Sequence, residues 1–507
     1  MESIWKDEEI GKHKNEPILK DKRQWDVIVV GAGMAGILTA WYLQQEGKQV
    51  LVLEAKEAAS GQTQNTTAKI TSQHGLKYQK LIRKVGRKKA QLYAQANEQA
   101  ISEYEKLIQR QKIDCDFKRL PAYLYSKEKE EVLRKEAQTA ASLGIRAKFM
   151  EESELCAGKI GSKETKLNSD GYGVVAKKLH IRSAVCFDKQ AQFSPLKFVQ
   201  ALAKELNILE YTEVLSVKGH KVIVREAEEL SMKKHSAILK ENAFSIDKSG
   251  KKKVFSDDKY ENETVFSADK IVMATHYPFK NFPGFYFLRQ HQERSYVLAL
   301  TGCQLIHGMY YGIDQNGLSL RQAGEYLLIG GGAHRTGKNK AGGAYDFLEN
   351  AAVHYFPEGS VAARWSAQDC IPHDGIPFIS KFSIFTPHLY VATGFQKWGM
   401  TTSMVAALLL KDEICGYENP YKKLFRPQRL HIRASALKLI TDVGVSICGL
   451  TKGFLRVFYK KAPRCPHMGC ALTWNPDEKS WDCPCHGSRF DENGKLLDNP
   501  AQRNLKK

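Results

Sequence analysis

The sequence predicts an α/β fold: a doubly wound, Rossmann-like nucleotide-binding domain interleaved with an antiparallel-sheet substrate lobe, followed by a small all-β module. Three observations carry this. A strand, glycine turn, helix and strand run through residues 25–54; residues 295–332 are strand-like; and four of the 11 cysteines crowd near the C-terminus among closely spaced histidines.

The first of these reads WDVIVVGAGMAGILTAWYLQQEGKQVLVLE. Residues 26–30 are apolar and β-branched, Gly31, Gly33 and Gly36 follow in G-x-G-x-x-G spacing, residues 37–45 are helical, and residues 49–53 end on Glu54. This is a dinucleotide cradle. The first glycine makes the tight turn, the second admits a pyrophosphate against the backbone, and the third lets helix pack on strand. Helix-terminal N–H groups then face the anion, and an acidic residue about twenty positions on suits a ribose hydroxyl pair.

At 507 residues the chain exceeds what one core sustains, so two or three domains are expected. Lysine and arginine total 76 against 56 acids, a formal charge of +20. The basic residues are scattered and form no nucleic-acid motif, so they read as a solvated surface with no nucleic-acid partner. The first 24 residues are charged and lack the apolar core of a secretory signal, which reads as a loose tail on a cytoplasmic protein. The best spanning candidate, 434–458, is broken by Lys438, Asp442 and Lys452, so no transmembrane segment is predicted and only peripheral membrane contact is left open.

Along the chain, the polar run 55–75 is unusual for a mere connection and is expected to lie along a bound cofactor. Residues 76–112 and 128–143 read as scaffold helices, with a strand at 117–125 between them. A helix opened by Ser194 and Pro195 spans 193–206, two short strands fill 208–225, and 226–266 reads as an exposed insertion. The buried strand 268–275 ends before His276, where strand ends of a doubly wound sheet face the ligand crevice. The second lobe at 295–332 carries Tyr310 and Tyr311, and a helix follows at 344–355. Residues 389–395 form another strand entering a glycine turn, with a helix at 400–410 whose N-terminus faces the cofactor. The predicted divisions are 25–415 for the interleaved nucleotide-binding and substrate lobes, 416–448 for a linker and 449–507 for the C-terminal module.

The cradle, the strand ADKIVMATH and the late LYVATGFQKWGM together resemble the glycine oxidase and D-amino acid oxidase superfamily of flavoproteins. The resemblance implies FAD, with Gly31, Gly33 and Gly36 at the pyrophosphate and Glu54 at the adenosine ribose. It also implies that the turn holding Gly394, Gly399 and Met400 lies near the flavin ring and that Thr66, Thr67 and Ala68 line the FAD. NAD is the competing ligand, disfavoured because no second glycine unit is apparent. One departure concerns substrate. The family's Leu-Arg-Pro, whose arginine clamps a carboxylate, is replaced by SAQDCIPHDGIP, which offers Gln368 and Asp369. An aspartate there suits a cation, and Arg321 and Arg335 are the remaining candidates for a clamp.

Near the end stand Cys465-x-His467 and, after fifteen intervening residues, Cys483-x-x-His486. Two thiolates and two imidazoles in two short loops are what a [2Fe-2S] centre needs when cysteines hold one iron and histidines the other. Tetrahedral zinc is the competing reading. The boxes and their M-G-C and C-P-C-H-G-S surroundings resemble the Rieske family, which implies a disulfide between Cys470 and Cys485. Together the two parts imply an FAD-dependent oxidoreductase that oxidises an amine or amino-acid-like small molecule and passes electrons through the cluster to an external acceptor. The alternatives are an electron-transfer protein without its own substrate, or a reductase fed by an external donor. No catalytic base is assigned among His74, His276, His334 and His373.

Overall fold

The computed structural model describes residues 3–6, 23–157, 170–226, 263–429, 441, 444–451, 453 and 462–506. Its first sheet is the nucleotide-binding one, eight-stranded among the described residues. Gln24–Val30 is flanked in parallel by Val50–Leu53 and Glu263–Met273, and Leu389–Thr393 runs parallel beyond the latter. Where they meet at the glycine turn, in residues 27–30, 50–53, 271–273 and 389–392, these strands are apolar and buried, as parallel strands covered on both faces must be. The register pairs Val30 with both Leu53 and Met273, so three strand ends stop together at the glycine turn. Over them lie Met34–Gln45 and Gly399–Cys415, two helices that pack on one another through small and apolar side chains.

The second sheet has nine strands among the described residues and is larger than local patterning suggested. The expected stretch supplies Gln290–Thr301, Met309–Gly312, Ser319–Ala323 and Tyr326–Arg335. Met309–Gly312 then pairs in parallel with Lys118–Ser126, which recruits Ser183–Gln192, Ala147–Glu151 and Lys69–Ile70 from far earlier in the chain. Local periodicity marks a strand but not its distant partner. At the other edge Ser360–Pro372 pairs along all of Gln290–Thr301 and sets Gln292 opposite Cys370, Glu293 opposite Asp369 and Arg294 opposite Gln368.

Several expectations change in detail. Helix 76–112 breaks at Gly86 into Tyr78–Val85 and Arg87–Gln111. The stretch 208–225 makes three strands: Asn207–Leu209 joins the nucleotide sheet, while Thr212–Lys218 and Lys221–Glu226 form a hairpin. The N-terminal tail is not loose where it is described, because Trp5 is 5% exposed and donates its indole N–H to Thr66 O at 2.9 Å. Most of the 226–266 insertion and of the 434–458 segment lies outside the described residues. Among the described residues no helix is long and apolar enough to cross a membrane. The C-terminal module is all-β: Thr473–Asn475, Ser480–Asp482, Arg489–Asp491 and Leu496–Asp498 form a four-stranded antiparallel meander.

Candidate active site and metal centre

The glycine turn is built for close approach. A Cβ on Gly36 would lie 1.9 Å from Gly31 O, and one on Gly31, at φ +103°, would lie 2.7 Å from Ala274 O. Beside the turn opens a cavity of about 990 Å³. Gly31, Gly33, Glu54, Thr66, Thr67, Gly399 and Met400 line it, so the cradle, the 55–75 run and the late turn face one space as the sequence suggests. Gly36 and Ala68 sit behind that wall, and Gly394, at φ +77°, packs on Pro372. The Glu54 carboxylate accepts from Ala32 N–H at 2.8 Å and Lys56 N–H at 3.0 Å, which ties it to the turn. Burial raises its pKa against those two bonds. A long, glycine-floored cavity with an acidic group at one end fits a dinucleotide.

The other end of the cavity is charged. Lys397 Nζ stands 3.7 Å from Asp369 and 3.8 Å from Glu293, with Tyr311 and Gln396 on the same wall. Burial lifts the Asp369 carboxyl to about 6 even though Lys397 pulls it down. Neither arginine is a clamp here. Arg321 is 2% exposed and donates to Ala68 O at 2.7 Å, while Arg335 reaches the C-terminal module and donates to Pro484 O and Cys485 O. Among the described residues no arginine lines the cavity. Gln368 is also turned away, donating to Gly487 O at 2.9 Å.

Of the four histidines, His74 and His276 line the cavity. His74 is held on both nitrogens, by Tyr93 Oη at 2.8 Å and Thr71 O at 2.7 Å, and stacks on Trp398. Burial keeps it neutral, so its role is to fix the wall. His276 has positive φ and a buried Nε2 with no hydrogen-bond partner, and burial lowers it to about 4. His334 bonds Tyr296 Oη and Arg335 O behind the wall, and His373 is buried away from the lining. Sequence reading missed Lys69, which lines the cavity and donates to Tyr310 O and Ser319 Oγ. Burial first, and Arg321 second, lower its ammonium to about 7. An alternating T-T-A-K-I segment gives no hint of this, because the partners lie some 240 residues away.

The C-terminal loops bring the predicted ligands together. Cys465 and Cys483 are buried free thiols in mutual contact, and the bond from Cys483 holds Cys465 below its ordinary pKa while Cys483 is pushed up. Backbone N–H groups of His467 and Met468 and the Ser488 side chain also serve the Cys465 sulfur. The imidazoles of His467 and His486 stand 5.0 Å apart at 90°, and His467 Nδ1 is buried without a hydrogen-bond partner. Cys470 and Cys485 are joined as a disulfide, whose sulfurs lie within 4.8 Å of Cys483 Sγ. Two facing thiols rich in donors and two converging imidazoles fit a [2Fe-2S] cluster with mixed ligation.

This module is seated on the cavity wall. Gln292 Nε2 donates to His486 O at 2.8 Å and Asn499 O at 2.9 Å, and its Oε1 accepts from Gln368 at 2.7 Å. Gly487 passes so near that a Cβ there would meet Gln292 Cβ at 2.6 Å. Arg294, 2% exposed, forks onto Glu478, which also meets Arg489 at 3.1 Å. Leu496, Asp498 and Asn499 complete the cavity lining, so cradle and cluster module share one space.

A family model described as FAD dependent oxidoreductase (DAO) matches residues 26–413, and one for the Rieske [2Fe-2S] domain matches 442–507. The chain is 32% identical over 535 residues to YhfW of Bacillus subtilis (strain 168), which carries a Rieske 2Fe-2S iron-sulfur name, across 97% of this chain and 94% of that one. In fold it is similar to glycine oxidase from Geobacillus kaustophilus, with TM-score 0.59 and 17% identity over 81% of this chain and 100% of that one. L-proline dehydrogenase from P. horikoshii is similar too, with TM-score 0.58 and 14% identity over 80% and 98%. The zinc and NAD readings fall with these matches. The chain belongs to the FAD dependent oxidoreductase family and carries a Rieske [2Fe-2S] domain behind its flavoprotein fold.

Proposed function

We propose that this chain is a dehydrogenase-type enzyme that oxidises an amine or amino-acid-like small molecule and hands the electrons, by way of its Rieske module, to an external acceptor in the cytoplasm. The observation that carries the reading is the shared cavity, lined by Gly31, Gly33, Gly399 and Met400 on one side and by Leu496–Asp498 and Asn499 of the cluster module on the other. When bound, FAD supplies a two-electron acceptor and the cluster a one-electron carrier. On this reading Gly31, Gly33 and Gly36 admit the pyrophosphate, Glu54 meets the ribose, and Thr66 and Thr67 flank the cofactor. Cys465, His467, Cys483 and His486 hold the cluster, and the Cys470–Cys485 disulfide staples its loops.

The substrate end supports a cationic group. Glu293 and Asp369 together carry two carboxylates against the single ammonium of Lys397, and an amino-acid clamp of arginine type is missing among the lining residues. Trp398 stacked on His74 gives this end a rigid apolar side that limits water. Because Asp369 titrates near 6, a cationic substrate is held less well as pH falls through that value. The KM of an active amine therefore rises below about pH 6, and Asp369→Asn flattens that profile.

The test is anaerobic mixing of the purified holoprotein with a panel of amines and amino acids, following flavin absorbance and cluster EPR together. Bleaching of flavin with appearance of the reduced-cluster signal, for the same compound, is the expected result. Bleaching that never reaches the cluster sinks the transfer step, and no bleaching by any compound leaves the electron-transfer alternative in its place.

A further inference from the structure

The edge of the cluster site nearest the flavoprotein domain is not bare. His467 Nδ1 is buried with no hydrogen-bond partner, while its outer Nε2–H donates to Asn281 Oδ1 at 2.9 Å. Asn281 belongs to the other domain, in the loop that leaves Glu263–Met273. Its own carbonyl accepts from Phe285 N–H at 2.9 Å, which fixes the loop where the side chain departs. From the same loop Phe287 stands edge-on to both imidazoles, with centroids 6.3 Å from His467 at 82° and 5.6 Å from His486 at 90°. The flavoprotein domain thus supplies both a polar and an aromatic contact to the two histidines.

We infer that Asn281 is a positioning residue that tunes the metal centre from across the domain boundary, accepting the outer N–H of His467 and thereby setting the reduction potential of the cluster. An acceptor on the far nitrogen of a ligating imidazole fixes its tautomer and makes the ring a stronger donor to the metal. Stronger donation favours the oxidised cluster and lowers its potential. A carboxylate accepts more strongly than an amide, and an alkyl group does not accept at all. The cluster so held reports, through one hydrogen bond, whether its domain is seated on the flavoprotein. The inference rests on the assignment of His467 as a ligand.

Redox titration of the holoprotein with EPR detection, for wild type, N281D and N281L, tests it. The expected order of midpoint potential is N281D below wild type and wild type below N281L. Each step should change the one-electron reduction equilibrium on the order of tenfold, about 59 mV. Flavin content and flavin potential should stay at wild-type values. A role confined to packing would lower cluster content without a signed shift. Should N281L lose its cluster, N281D, which keeps an acceptor, still decides by the direction of its shift. Full EPR signals at an unchanged potential in both variants overturn the inference. Absence of a cluster signal in wild type, or its full retention in His467→Ala, instead overturns the ligand assignment and with it this role.

Discussion

Gly36 has no room for a side chain, since a Cβ would fall 1.9 Å from the carbonyl oxygen of Gly31, a backbone atom that cannot rotate away. Gly36→Ala must push the first helix off the strand it packs on. Overpacking of this kind costs about 1–3 kcal/mol. The expected outcome is a protein of lower Tm that purifies with much less flavin per chain, read from absorbance. Lys69 makes a prediction of a different sort. Burial holds its ammonium at about 7, below the unfolded value, so the folded state sheds a proton that the unfolded chain keeps. The penalty for charging it is full below about pH 7 and is relieved as pH rises from there toward 10.5. Denaturant midpoints should therefore climb between pH 7 and 10 in wild type, and Lys69→Met should flatten that climb. These two residues differ in legibility. The glycine spacing announces itself in the sequence, whereas Lys69 is one lysine among many until the strand holding Tyr310 is laid beside it.

At the scale of elements, the ladder between Gln290–Thr301 and Ser360–Pro372 does the joining. One end of it offers Glu293 and Asp369 to the cavity, and Gln292, Arg294 and Gln368 from the same stretch reach the cluster module. Arg294 and Glu478 form its buried ionic hinge. Burial alone would raise the Glu478 carboxyl, but Arg294 and Arg489 outweigh it and hold the group at about 2. A carboxyl depressed in the folded state stabilises above its ordinary pKa and loses that contribution as pH falls from about 4.5 toward 2. Acid unfolding of the module should begin in that window. Glu478→Gln leaves buried Arg294 with only Asp498, 3.8 Å away, as counter-charge, and the resulting destabilisation would register in thermal denaturation followed by cluster absorbance. Milder melting of the module than of the flavin domain would show that the pair serves docking first.

For the whole molecule, the proposed function requires that the flavoprotein cavity and the cluster module, which lends Leu496, Asp498 and Asn499 to its lining, work together. Cys465→Ser should abolish the cluster EPR signal, leave bound flavin and its bleaching by substrate intact, and reduce turnover with one-electron acceptors to a small residue. Equal turnover in the variant would mean that electrons leave the flavin directly and that the module is a passenger. Cys370 Sγ lies 3.5 Å from the carbonyl oxygen of His276 on the cavity wall and 3.8 Å from Gln292 Oε1, so wall and docking contacts adjoin there.

The sequence by itself determined what is local: the glycine cradle with its flanking strands, the two Cys-His boxes and the family, whose resemblance in turn implied the disulfide partners. Such features are legible because their chemistry needs fixed residue types at short fixed spacing. The expected polar run 55–75 and late turn also meet the cavity, though Ala68 and Gly394 stand behind its lining. Only the tertiary structure decided the rest. It retired Arg321 and Arg335 as clamps by showing their carbonyl partners, paired Lys397 with Glu293 and Asp369, buried Trp5, and brought Asn281 to His467. Each of these joins residues far apart in the chain, and what a charged or amide side chain does is fixed by the partner that desolvation forces on it, not by its neighbours in sequence.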